Sequence, residues 1–407
     1  MPDQHTIGRY TVVRRLAFGG MAEVLLCHAH EPGGELRQVV IKRVLPAKRD
    51  DPRWVNLLVD EARLAMRLTH PNLVRVLGLE QDEAGPFMVM EYIQGLDLVQ
   101  LINASAQRGL LIPFELAALI VSEVAEGLHS AHQLTGPDGT TLGLVHRDVS
   151  PANVIVTRDG AIKVVDFGVA KHKTQTQHTQ QGELKGKLSY MSPEQARGAE
   201  IDLRSDVYSL GVVLYELLTG VSCFKRATQP ETLAAVAAGR YRPASDYRAD
   251  IPVGLARILS RMLAYEPAKR YQSARAISER LGAFMHATAR PDAAELVTFL
   301  RAVAADPNVP VSRARTATAL TSEEELQPPG LDAELAEPGA RPWLPRRASP
   351  ELVAAVFPEE EPSGISAFDD SDAPRTRFRP RIPGEQRTVR AGKQTGGRGR
   401  GKKDDGR

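Results

Sequence analysis

Hydrophobic and polar positions follow two different patterns along the chain. Within the first 90 residues, short β-branched runs separated by glycine turns predict strands, among them TVVRRL, AEVLLCHA and RQVVIKRV. One segment, Trp54 to Leu68, instead places its apolar residues on one face of a helix and has no internal Gly or Pro. From Phe114 on, long helical patterns dominate. We therefore expect an α+β fold, with a small β-rich lobe followed by a larger helical lobe.

The pattern changes again after the helical part. We predict a compact domain over residues 8–285 and a candidate helical extension over 286–306, since Asp292 to Ala305 has apolar residues at helical spacing. From 307 to 407, Pro, Glu, Ser and Gly dominate, with acidic runs first and repeated Arg and Lys after Arg375. Such a segment is too polar to bury a core, so a disordered tail is predicted. Its basic end could bind nucleic acid, but such tails are more often solvated linkers or autophosphorylation sites.

Composition narrows the class of protein. A chain of 407 residues, 42% hydrophobic and 25% charged, can form one large or two medium domains. Its 52 Lys and Arg nearly balance 50 Asp and Glu, which gives no reason to expect nucleic acid or an anionic membrane as the main partner. The two cysteines, Cys27 and Cys223, suggest neither a disulfide framework nor a cysteine-based zinc site. Without a signal-peptide pattern or a long apolar run, the protein is expected to be soluble, without a membrane span, and cytoplasmic.

Three features near the N-terminus are chemically suggestive but weak when taken singly. The first is the glycine-containing turn LAFGGMAEV at residues 16–24, since backbone amides approach phosphate oxygens closely only where no β-carbon intervenes. A plain hairpin turn explains the same residues. Lys42 shares one strand face with Val40 and Val44, and Glu61 lies on the apolar face of the predicted helix, where it could pair with a buried lysine. An edge-strand charge and a surface acid are the alternatives.

The decisive segment is VHRDVSPANVIV at residues 145–156, followed by the tripeptide DFG at residues 166–168. Asp148 can serve as a base near an alcohol, while Asn153 and Asp166 supply oxygen ligands for magnesium. Chance assembly of these residues, in order with Lys42 and Glu61, is negligible.

With these motifs, the sequence resembles the bacterial eukaryotic-like serine/threonine protein kinases, of the myxobacterial type, from about Tyr10 to Leu281. The motif SYMSPE at 189–194 is similar to the end of an activation segment, and SDVYSLG at 205–211 to a buried anchoring helix. The resemblance implies a two-lobed protein kinase fold, with a small antiparallel N-lobe and a large helical C-lobe. It also implies that Arg270 pairs with Glu194 and that Asp206 holds the catalytic loop.

The resemblance further implies ATP and Mg²⁺ as cofactors and proteins as substrates. Asp148 is expected to accept the proton of the substrate hydroxyl, Lys42 to contact the α- and β-phosphates while Glu61 holds it, and Asn153 and Asp166 to bind Mg²⁺. The remaining nucleotide contacts are expected from the phosphate loop, the walls of the adenine pocket and the hinge: Leu16, Ala17, Gly19, Gly20, Val24, Val40, Met90, Glu91, Ile93 and Ile155. For the apolar members, ordinary core packing is an equally good account.

Three departures from the family pattern bear on activity. Ala17 and Ala22 stand where glycines are common, which adds methyl groups to the phosphate loop. Ser150 occupies the position of the lysine that neutralises the γ-phosphate, and Lys187 that of the usual P+1-loop threonine. Our hypothesis is that the Lys187 ammonium replaces the missing lysine beside Asp148. The alternative is a solvent-facing lysine and a slower enzyme.

Kinases with an arginine before the catalytic aspartate, here Arg147, are commonly switched on when an activation-loop phosphate pairs with that arginine. Thr174, Thr176 and Thr179 are the candidate acceptors, and a constitutively ordered loop is the alternative.

The sequence thus predicts a protein kinase that phosphorylates serine and threonine, in itself and in other proteins of bacterial signalling. The first alternative is a pseudokinase scaffold that binds nucleotide without efficient transfer, because of Ser150 and Ala17. A small-molecule phosphotransferase is a second alternative, disfavoured by the activation segment.

Overall fold

The computed structural model describes residues 5–31, 34–166, 187–288 and 291–303 of the chain. Its first part contains six strands, β1 to β6, at Thr6–Ile7, Tyr10–Phe18, Ala22–His30, Leu36–Val44, Val76–Asp82 and Gly85–Glu91. They form one antiparallel sheet in the order β1-β2-β3-β4-β6-β5. The antiparallel, β-rich N-lobe predicted from the sequence is confirmed.

Both faces of this sheet are apolar, because neighbouring residues of a strand point to opposite sides. On one face, Val39 and Ile41 pack in a cluster with Phe87. On the other face, Val40 and Val44 pack against helix α1 (Pro52–Ala65). Lys42 lies on the same face as Val40 and Val44, as the alternation predicted, so its side chain is directed toward α1.

The second part of the chain is helical. Helices α2 to α8 span Leu98–Gln107, Phe114–His132, Pro193–Ala196, Leu203–Thr219, Gln229–Ala237, Val253–Met262 and Ala274–Thr288. Helix α5 (Leu203–Thr219) forms the centre of this lobe, and nearly all of its residues are buried. The Asp202 side chain accepts a hydrogen bond from the backbone N–H of Arg204, and Gly220 ends the helix at a φ of 71°. The predicted buried anchoring helix is therefore present.

A small antiparallel sheet lies between the two lobes. It consists of β7 (Gly95–Asp97), β8 (Val154–Thr157) and β9 (Ile162–Val164), in that order. Backbone hydrogen bonds of 2.8 and 2.9 Å connect Val164 of β9 to Asn72 and Val74, just before β5. The sheet thereby holds the segment that follows residues 145–153 close to the connection between α1 and β5.

Regular structure extends beyond residues 8–285 at both ends. Strand β1 precedes residue 8, and with two residues it is too short to produce a recognisable pattern. Helix α8 continues to Thr288, and a further helix, α9, spans Ala293–Val303. The predicted tail, 307–407, lies outside the described residues. In the described part of the chain, no helix combines the length and apolarity needed to cross a bilayer.

Candidate active site

Lys42 joins both lobes through two carboxylates. Its ammonium nitrogen lies 2.6 Å from Glu61 Oε1 on α1 and 3.5 Å from Asp166 Oδ1, just after β9. The side chains of Lys42 and Glu61 are 13% and 5% exposed, whereas that of Asp166 is 42% exposed. Burial by itself lowers the pKa of Lys42, but the two carboxylates outweigh it and hold the pKa above its ordinary value. The two carboxylates therefore favour the charged form of Lys42 between the lobes.

Helix α5 holds the catalytic loop, the segment around Asp148, in place. Asp206, fully buried in this helix, accepts hydrogen bonds of 2.8 Å from the backbone N–H groups of His146 and Arg147. Its carboxylate also lies 2.8 Å from Nε2 of His132. The expectation that Asp206 holds the catalytic loop is confirmed.

The side chain of Asn153 forms hydrogen bonds within the same loop. Its side-chain nitrogen donates to the backbone oxygen of Asp148 at 2.8 Å and to Asp148 Oδ2 at 3.2 Å. Both bonds use the amide nitrogen, so the amide oxygen is not occupied by them. The backbone oxygen of Asn153 accepts from the N–H of Val165, which places Asn153 beside Asp166. The two predicted magnesium ligands are thus held next to each other by the main chain.

Two residues of this region adopt the left-handed backbone conformation. Arg147 has a φ of 64° and Asp166 a φ of 58°, and they are the only non-glycine residues with positive φ in the described part of the chain. Such a conformation costs on the order of 1–3 kcal/mol and persists only where its surroundings impose it. For Arg147 these surroundings include the bond to Asp206 and a bond from Gln195 Nε2 to the Arg147 carbonyl.

Lys187 is directed at the predicted base. Its ammonium nitrogen lies 2.6 Å from Asp148 Oδ2, and the two side chains are 43% and 11% exposed. Ser150, at the position where the family carries a lysine, is buried, and its hydroxyl has no hydrogen-bond partner among the described residues. A cation therefore lies beside Asp148, and it is supplied by Lys187 and not by residue 150. The positions 167–186, with Thr174, Thr176 and Thr179, lie outside the described residues.

The residues predicted to form the adenine pocket come from both lobes. Leu16, Val24, Val40 and Met90 belong to one apolar cluster under the sheet, with Val40 paired to Met90 in the β4–β6 register. Ile155 comes from β8 of the small three-stranded sheet, where it pairs with Asp97.

The phosphate loop and the hinge border this pocket. Ala17 pairs with Val24, and the N–H of Gly19 donates to the carbonyl of Ala22, so Gly19 and Gly20 lie in the turn between β2 and β3. Glu91 ends β6, and Ile93 follows it in the connection to β7. The predicted residues therefore lie on strands β2, β3, β4, β6 and β8 and on the connections that follow β2 and β6.

One contact near the hinge was not foreseen. The side chain of Glu91 lies 3.0 Å from Lys163 Nζ on β9. It also accepts a hydrogen bond from the backbone N–H of Arg75 at 2.9 Å. Residues 91 and 163 lie 72 positions apart, and nothing in either local pattern pairs them.

The pair formed by Arg270 and Glu194 anchors the end of the activation segment. Its two hydrogen bonds measure 2.6 and 2.9 Å, and Ser205 donates a third bond to Glu194. Burial by itself raises the pKa of Glu194, but the bonds from Arg270 and Ser205 outweigh it and lower the pKa below its ordinary value. The pairing implied by the family pattern is confirmed.

Comparison with known proteins agrees with this geometry. Residues 10–281 match the protein kinase domain family. The chain therefore belongs to the protein kinase family, and its relatives place it among the bacterial eukaryotic-like kinases.

Three curated relatives illustrate the range of similarity. The tyrosine-protein kinase MasK of Myxococcus xanthus is 40% identical over 285 residues, which cover 70% of this chain and 44% of MasK. The serine/threonine-protein kinase PknB of Mycolicibacterium smegmatis is 34% identical and covers 77% of this chain and 49% of PknB. For the serine/threonine-protein kinase PrkC of Bacillus subtilis, the identity is 34% and the shares are 66% and 39%. The chain spans about half or less of the length of these relatives.

A solved structure shows the same fold. The kinase domain of Mycobacterium tuberculosis PknI matches with a TM-score of 0.51 and 29% identity, over 70% of this chain and 98% of that domain. The two-lobed kinase fold predicted from the sequence is confirmed.

Proposed function

We propose that this chain transfers the γ-phosphate of ATP to serine or threonine hydroxyls of proteins, including its own. One observation carries the proposal: the Lys42 ammonium bonds to Glu61 of α1 and to Asp166 beside the catalytic loop at the same time. Phosphoryl transfer by a protein kinase needs the lysine, its glutamate and the metal-binding aspartate in place together. A pseudokinase scaffold has no such requirement, and no observation favours it.

In the proposed reaction, Asp148 orients the substrate hydroxyl and receives its proton as the oxygen attacks phosphorus. Lys187, bonded to the same carboxylate, places a positive charge where the transferring phosphate gains negative charge. Ser150 is buried and uncharged, so it cannot neutralise the phosphate. Lys187 performs the role that the family pattern gives to a lysine at position 150. Lys42 holds the α- and β-phosphates and keeps the nucleotide in register with Asp148.

The donor atoms near the cleft suit a magnesium ion. Mg²⁺ prefers oxygen ligands and is usually held by one or two protein groups together with substrate phosphates. The Asn153 amide oxygen and the partly exposed Asp166 carboxylate provide such a pair. When bound, the ion would neutralise phosphate charge, and these two residues would hold it.

The matching relatives are of two kinds, which differ in the acceptor hydroxyl. MasK is named a tyrosine-protein kinase, whereas PknB and PrkC are named serine/threonine-protein kinases. The SPE motif and Pro151 follow the serine/threonine pattern. We therefore propose serine and threonine as acceptors, with tyrosine as the second candidate.

Arg147 supports activation by a loop phosphate. Burial lowers the pKa of its guanidinium, against the influence of Asp206, and no described carboxylate is hydrogen-bonded to its side chain. A phosphorylated threonine among Thr174, Thr176 and Thr179 would supply the anion. Mass spectrometry of active protein should find phosphate on this loop, and unmodified active protein would contradict the proposal.

Labelled ATP tests the activity directly. The protein and its Asp148→Asn variant are incubated with γ-labelled ATP, Mg²⁺ and a generic protein substrate. Label on the wild type alone is expected, and analysis of the phosphoamino acids decides between serine or threonine and tyrosine. Absence of label from both proteins, with nucleotide still bound, would favour the scaffold.

A further inference from the structure

Helix α9 (Ala293–Val303) belongs to the folded unit although it lies beyond the family match, which ends at residue 281. Leu296 and Phe299 are fully buried, and Leu300 and Val303 nearly so, within the same apolar cluster as α2 and α3. Burying a side chain of this size contributes on the order of 1.5–3 kcal/mol. The helix is thus firmly docked on the C-lobe.

The two ends of α9 contact two different elements. At its C-terminal end, Arg108 Nη1, from the residue that caps α2, donates to the Ala302 carbonyl at 3.0 Å and so satisfies an acceptor of the last helical turn. At its N-terminal end, the backbone of Ala293 lies against Gly160, in the turn between β8 and β9. A β-carbon added to Gly160 would lie 2.7 Å from the Ala293 oxygen.

Both contacted elements are connected to residues that are predicted to bind the nucleotide or its magnesium ion. The β8–β9 hairpin carries Ile155 and ends two residues before Asp166. Helix α2 begins directly after Asp97, whose side chain caps it and whose backbone pairs with Ile155. Displacing either element would therefore move the lower wall of the predicted nucleotide pocket.

We propose that α9 is a positioning element for nucleotide binding, which sets the lower wall of the pocket by holding the β8–β9 turn and α2 together. The proposal rests on the proposed function, in that the pocket is taken to bind Mg-ATP. It extends the functional kinase unit to residue 303, beyond the family match. None of the residues involved touches the reacting atoms.

The substitution Gly160→Ala tests this in the full chain, because its new methyl group must displace α9 or the turn. Gly139→Ala is the matched control: Gly139 has a φ of +80°, close to the +84° of Gly160, but a β-carbon there would meet nothing within 4 Å. Both variants carry the same backbone strain, and only the first disturbs α9. A second pair compares Arg108→Ala, which removes the contact to Ala302, with Arg275→Ala on the exposed face of α8.

Titration with a fluorescent Mg-ATP analogue, together with thermal unfolding, gives the readout. We expect Gly160→Ala to raise the Kd about fivefold and Arg108→Ala about twofold, with KM for ATP rising in parallel and kcat changing less. The controls should bind as the wild type does, even where they unfold at lower temperature.

Three results would overturn the proposal, and they can be told apart. If Gly160→Ala and Gly139→Ala have equal Kd values while the wild type transfers label, α9 is merely structural and the kinase function stands. If the wild type binds no nucleotide, both the predicted nucleotide pocket and the proposed function are refuted. Should Gly160→Ala fail to fold, the Arg108→Ala pair decides alone, and equal Kd values for that pair would refute the proposal.

Discussion

Two ion pairs involve residues near the end of the activation segment, Lys187 with Asp148 and Glu194 with Arg270, and they differ in how many donors of the cation are used. Arg270 is fully buried, and its five N–H donors are all used: Nε on Ala264, Nη1 on Glu194 and Arg204, and Nη2 on Glu194 and Tyr265. Lys187 instead makes a 2.6 Å bond to Asp148 and keeps 43% of its side chain exposed.

The difference separates a fixed contact from an adjustable one. A guanidinium with every donor satisfied has no capacity for a ligand, and removing its partner leaves a buried charge. An ammonium with three donors at the edge of a cleft can keep one bond to the protein and offer others to an anion. The first arrangement suits a structural anchor, and the second suits a site where a charged substrate is handled.

The largest expected effect is on stability at the buried pair. Glu194→Ala should lower the free energy of unfolding by about 3–5 kcal/mol, because Arg270 loses its counter-charge without access to water. Chemical denaturation measures the loss. The control is Glu266→Ala at the exposed pair with Lys269, for which a change below about 1 kcal/mol is expected. Equal losses at the two sites would show that burial of the Arg270 pair has no energetic consequence.

The next effect is on catalysis at the exposed pair. Lys187→Ala should lower kcat about a hundredfold, the usual cost of losing one group that stabilises transition-state charge, and leave stability almost unchanged. Steady-state kinetics with labelled ATP measures it, with Lys269→Ala as the control at a surface lysine. Unchanged turnover together with unchanged ATP affinity would reduce Lys187 to a solvent-facing lysine.

The buried pair should also respond to acid. The folded-state pKa of Glu194 lies below its ordinary value of 4.5, since the bonds from Arg270 and Ser205 outweigh the effect of burial. Its contribution to stability is therefore fully present above pH 4.5 and is lost as the pH falls through the folded pKa. Denaturation at decreasing pH should show a steeper loss for the wild type than for Glu194→Gln, and parallel curves would contradict this.

The smallest effect is expected at the hinge. Glu91→Gln removes the charge that faces Lys163 but can still accept the bond from Arg75, so nucleotide affinity should change by no more than about threefold. Glu80→Gln, at the exposed pair with Arg9, is the control. Titration with the Mg-ATP analogue checks it, and a change above tenfold would show that the hinge pair is a principal determinant of the pocket.

Much of the fold was predictable because it depends on local pattern. The long strands β2 to β4, helix α1 and the buried helix α5 each show their own periodicity, and α9 does so beyond the family match. Strand β1, which the sequence analysis did not predict, has two residues and exists only through its pairing with β2. Similarly, the left-handed backbone at Arg147 and Asp166 leaves no mark in residue type, since neither is a glycine.

By itself, the sequence determined the order of the lobes, because periodicity is a property of neighbouring positions, and its motifs suggested the candidate site residues through resemblance to a kinase family. Resemblance to a family suggested that Lys187 lies near Asp148, but these residues are 39 positions apart and only packing sets their 2.6 Å contact. The tertiary structure alone decided that Lys42 reaches Asp166, 124 positions away, and that Glu91 meets Lys163. Such contacts depend on how sheet and helices pack, and no local stretch of sequence encodes that distance.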